Sequence, residues 1–139
     1  MDLINFLKNK GYEVVENVTK KILVFDEEIE IFANAIAKKG DLNFVMVRRE
    51  EDKRPLVPLE RFIIAIARLF EVKGFAIATN GEEVVCLRVD NGERVDLNSI
   101  PEIDKAKAFE FKFDRDAEKR IVVAIGKLRC PCRCDECRI

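Results

Sequence analysis

Apolar and polar positions change period several times along the 139 residues, and each change marks an element. Leu3, Ile4, Phe6 and Leu7 form one helical face over 2–10, with Gly11 as the stop. YEVVENV and KKILVF follow as two strands around a short turn. In EIEIFANAIAKKGDLNFVMVRR, residues Ile29, Phe32, Ala33 and Ile36 have helical spacing. Yet KKGD is a turn and NFVMV a plain strand, so the pattern predicts a hairpin of 28–37 with 42–48. Pro58 opens a helix that runs through LERFIIAIARLFEV to Gly74 and is apolar around most of its circumference, as a buried helix is. GFAIAT, EEVVCLRV and ERVDL are short strands, separated by the hairpin signals Asn80-Gly81 and Asn91-Gly92. A short helical turn after Pro101 leads to AFEFKF, which alternates like a strand. DRDAEKRIVVAIGKLR closes the pattern as a helix capped by Asp114 or Asp116.

This order predicts an α/β or α+β fold, a mixed central sheet with a helix on each face. One domain is expected over 1–128, followed by a cysteine-rich tail over 129–139. The longest apolar runs, such as FIIAIA, are too short to span a membrane. The start of the chain lacks a signal-peptide pattern, so a cytoplasmic protein is expected.

Composition narrows the chemistry. There is no histidine, which removes imidazole acid–base catalysis and every His-containing metal site. A net charge of -1 gives no global basic signal, so any nucleic-acid binding must come from a local patch. Gln and Trp are absent while Lys, Glu, Ile and Val abound, a balance that leans towards an archaeal or thermophilic source.

The run FANAIAKKGDLNFVMVRR, with the helix PLERFIIAIARLF and the strand FAIATNG after it, resembles the PD-(D/E)xK, or restriction-endonuclease-like, nuclease superfamily. The TNG after that strand is similar to the N-terminal domain of type I restriction enzyme R subunits. The resemblance covers roughly residues 2–97. It implies a catalytic Asp on the second strand, a (D/E)-x-K on the third, and Mg²⁺ held by the two carboxylates while the lysine helps activate water. Those positions fall here on Asn34, Met46 and Arg48. An amide and a thioether are poor substitutes for hard oxygen anions, and an arginine stays protonated. A second register, Asp41 with Glu51 and Lys53, spells D…ExK, and Glu30 is a further carboxylate for it. Glu51, however, lies past the apolar strand in a run of seven charged residues from Arg48 to Arg54.

Arg48, Arg49, Lys53, Arg54 and Arg61 gather along the same edge, and guanidinium forks suit phosphate. Glu50, Glu51, Asp52 and Glu60 are interleaved with them, so a solvated, salt-bridged loop is the competing reading. In the tail, Cys130, Cys132, Cys134 and Cys137 form C-x-C-x-C-x-x-C, four soft donors for zinc or an iron–sulfur cluster. No regular element gathers all four, since on a strand the outer two of the first three stand about 13 Å apart. The tail must coil around its guest or share ligands in a homodimer. Disulfides and free thiols are the alternatives. Cys86, in VVCLRV, is expected to pack as a small apolar residue.

Three functions follow. The first is a catalytically degenerate nuclease-fold protein that binds nucleic acid (DNA before RNA) or a restriction or repair partner. The second is an active Mg²⁺-dependent nuclease using Asp41, Glu51 and Lys53. The third is a metal or redox module in which the tail is the working part.

Overall fold

The computed structural model describes residues 2–50 and 55–129. Glu51, Lys53, Arg54 and the four tail cysteines lie outside the described residues. The chain runs α1 (Leu3–Asn9), β1 (Glu13–Val24), β2 (Glu27–Lys39), β3 (Leu42–Arg49), α2 (Glu60–Leu69), β4 (Phe75–Thr79), β5 (Val84–Arg88), β6 (Arg94–Val95) and α3 (Arg115–Arg129). The strands form one six-stranded sheet in chain order. All pairs are antiparallel except β3 with β4, which are parallel, as the intervening α2 requires.

Both sheet faces are covered. Val45, Val47, Phe75 and Ile77 pack with Leu3, Leu7 and Tyr12 on the α1 side. Met46, Ala76 and Ala78 pack with α2 and Val122 of α3 on the other. Alternate residues of β3 and β4 therefore enter opposite cores, which is why these strands read as continuous apolar runs. Helix α2 buries Phe62 through Ala67 and Leu69, in keeping with its apolar circumference. Among the described residues, no helix is long and apolar enough to cross a membrane.

Four details differ from the sequence expectations. YEVVENV and KKILVF are one twelve-residue strand, because Asn17 takes a left-handed conformation (φ 55°) within β1 and the pairing with β2 continues past it. Across that point the strands exchange faces. Ala33 belongs to the α2-side core and Ala35, two residues on, to the α1-side core. Second, α2 does not stop at Gly74. Its end is a left-handed Glu71 (φ 59°), with Glu71 N–H donating to Arg68 C=O and Val72 N–H to Ala67 C=O. Gly74 serves a close approach instead, since a Cβ there would stand 2.5 Å from the Phe44 carbonyl oxygen. Third, Pro58 lies in a 3-10 turn, Val57–Leu59, that leads into α2. Fourth, AFEFKF is not a strand. Its alternating pattern arises because Phe109 stacks edge-on against Phe75, while Phe111 lies beneath Lys73 and Arg68. Asp114, not Asp116, caps α3, its Oδ1 accepting from the N–H groups of Asp116 and Ala117.

Candidate functional site

The carboxyl ends of β3 and β4 lie side by side, with Arg48 opposite Ala78 and Arg49 opposite Thr79. In open sheets this is where ligands gather. Three of the sequence candidates meet here. Met46 is fully buried on the α2 face, paired with Ile36 and Ala76. Arg48, on the same face, is also buried. Its Nε donates to Glu50 Oε1 at 2.9 Å, one terminal nitrogen donates to the Phe32 carbonyl at 2.9 Å, and its guanidinium lies 5.0 Å from the centre of the Phe62 ring. The side chains of this Arg48–Glu50 pair are only 11% and 6% exposed. Asn34 accepts the backbone N–H of Arg49 at 2.7 Å through Oδ1, so its amide braces the two strand ends. The Glu50 N–H donates to Thr79 C=O, which holds the chain to β4 as it leaves the sheet. Asn80, buried after β4, accepts the N–H groups of Glu82 and Glu83 and shapes the turn.

The other candidates are dispersed. Asp41 sits in the exposed turn between β2 and β3, at the opposite end of β3 from Arg49. Eight strand residues separate these two by roughly 26 Å. The structure thus does not bring Asp41 to the edge from which Glu51 and Lys53 continue. Glu30 lies further out on the β1–β2 ribbon, opposite Lys21. Arg49 is exposed beside the site. Arg61 reaches across α2 to α3, where it holds Glu118 through two bonds of 2.7 Å. Among the described residues, no group of three or more His, Cys, Asp or Glu could hold a metal ion. Cys86 is buried, as expected, and burial pushes its thiol up to about 12.

Sequence reasoning missed two acids. Glu50 reads as part of a charged loop, yet it is 5% exposed. Glu118 is 2% exposed and accepts from Arg61 and from Arg68, whose other nitrogens reach the carbonyls of Val89 and Asp90. Burial pushes the Glu118 carboxyl up, but the hydrogen bonds and charges of Arg61 and Arg68 outweigh it and hold it below the usual carboxylate range. A signal for Glu118 was present, because it shares the buried stripe of α3 with Val122 and Gly126 at i, i+4 and i+8.

The architecture is that of a mixed α+β protein in the order helix, three antiparallel strands, helix, parallel strand. No family model matches the chain, and no curated protein matches it. Among solved structures, it is similar to the type IIG restriction endonuclease BpuSI, with a TM-score of 0.43 and 17% identity over 88% of this chain. The match covers 14% of that enzyme.

Proposed function

We propose that this chain is a catalytically degenerate nuclease-fold protein that binds nucleic acid, DNA in preference to RNA, at the carboxyl ends of β3 and β4. One observation carries the reading. The positions where the resemblance implies Asp, Glu and Lys hold an amide that braces the backbone, a fully buried thioether and an arginine closed off by Glu50 and the Phe32 carbonyl. Such a set offers no carboxylate for a hard cation and no base. The exposed Arg49 at this edge, with Lys53 and Arg54 following in the sequence, supplies phosphate contacts without chemistry.

Retention of duplex DNA should weaken as salt rises. Arg49→Ala should weaken it across all sequences and reduce the steepness of the salt dependence by about one phosphate contact. Failure to retain DNA even at low salt would refute binding.

Cys130, Cys132, Cys134 and Cys137 act in this reading as a structural clip that ligates zinc or an iron–sulfur cluster. Metal content is expected to be lost on deleting 129–139, and unchanged content after deletion would remove the tail from that role.

A further inference from the structure

The hairpin joining β1 to β2 has a two-residue loop, Phe25–Asp26, between the paired Val24 and Glu27. Phe25 occupies its first position with φ 55°. That conformation favours glycine and is strained for a bulky aromatic residue. Phe25 is nevertheless 81% exposed, and Leu23, two residues before it, is 59% exposed. A strained backbone that holds an apolar ring in water is a sign of a surface made for contact. Asp26 and Glu27 follow Phe25 directly and are exposed, while the exposed Glu28 beyond them pairs with Lys21. This acidic collar disfavours nucleic acid and anionic membranes and selects an apolar pocket with a basic rim.

The chain carries such a pocket. An open groove of about 580 Å³ is lined by Leu42, Phe109, Phe111, Lys73 and Lys112, with Lys73 lying over the Phe111 ring and Glu110 the one acid among its lining. The tip cannot reach its own groove. The tip precedes β2 and Leu42 follows it, so the thirteen residues of β2 place them roughly 40 Å apart. β1 is the edge strand of the sheet on this side and runs between them.

We infer that two copies of this chain associate about a two-fold axis, each inserting its Phe25 tip into the Phe109–Phe111 groove of the other. An isologous arrangement satisfies both tips and both grooves at once. Two aromatic tips bury only a few hundred Å², below the area of a standard stable interface, so the dimer is weak and concentration-dependent.

Sedimentation velocity from about 10 µM to about 1 mM tests this, a range that brackets a weak dissociation constant. The wild-type chain is expected to dimerise within that range. Phe25→Gly removes the ring and relieves the strained position, so it should fold at least as stably and dimerise about 30-fold more weakly. Should the glycine variant not fold, Phe25→Asn tolerates the same conformation and takes its place. Lys112→Glu sets like charges against the acidic collar and should weaken association alone. Mixed with Phe25→Gly, it should recover partial association through the one intact tip and groove. A wild-type chain that stays monomeric throughout, or a Phe25→Gly chain that dimerises like wild type, would overturn the inference.

Discussion

Glu50→Ala is expected to destabilise the protein by about 3–5 kcal/mol, the range seen when one partner of a buried ion pair is removed. The physical reason lies in what remains. Arg48 would keep its bond to the Phe32 carbonyl and its place over Phe62, but its charge would lose its carboxylate in a site only 11% exposed. Arg48→Met in the same chain should recover most of the loss, since a buried pair is often replaceable by apolar groups of similar volume. Urea unfolding of the two variants measures both effects. A Glu50→Ala chain within about 0.5 kcal/mol of wild type, the ordinary range for a surface change, would mean that Arg48 is not sequestered and is open to contact phosphate, though not to act as a base.

Glu118→Ala is the second large effect, about 2–4 kcal/mol, somewhat under the full buried-pair range because the Arg61 side chain is 47% exposed and can turn to water. Arg68 cannot do so as easily at 13% exposure. Arg61→Met should therefore cost much less, about 1 kcal/mol, because Glu118 keeps Arg68. Equal losses in the two variants would contradict this division. The same carboxylate sets a pH dependence. Its value in the folded chain lies below that of an unfolded glutamate, so its contribution is present above the unfolded value, about 4.3, and is lost as pH falls through the folded one. Glu71 (bonded to Arg115) and Asp90 (bonded to Arg88) are held low as well, each against the upward push of burial, and act in the same direction. Glu118→Gln should flatten the acid limb of the stability profile without abolishing it.

The elements legible in the sequence are those whose period is set by packing on one partner. β3 and α2 are the clearest cases, since their buried residues are apolar apart from Arg48, although α2 ends at Leu69, short of the expected Gly74. Misreadings arose where a side chain serves a local purpose the period does not record. The junction of YEVVENV and KKILVF looked like a turn, but the left-handed residue, Asn17, lies inside the first of them and does not break the strand. AFEFKF looked like a strand because its phenylalanines alternate, but they meet ring and cation partners, not a ladder. At the candidate site, the substitutions at Asn34, Met46 and Arg48 were visible in the sequence. Their consequence was not, because the partner that closes off Arg48 stands two residues away in what reads as a solvated acidic run. The distance between Asp41 and the far end of β3 was legible from the strand alone.

The central claim is that this edge of the sheet binds without cutting. Incubation of the 139-residue chain with supercoiled plasmid and branched DNA, in Mg²⁺ and then in Mn²⁺, tests it most directly when retention is read on the same samples. Retained and intact DNA is the predicted result. Metal-dependent cleavage that disappears in Glu51→Ala would contradict it and place a working metal site in the segment after Glu50.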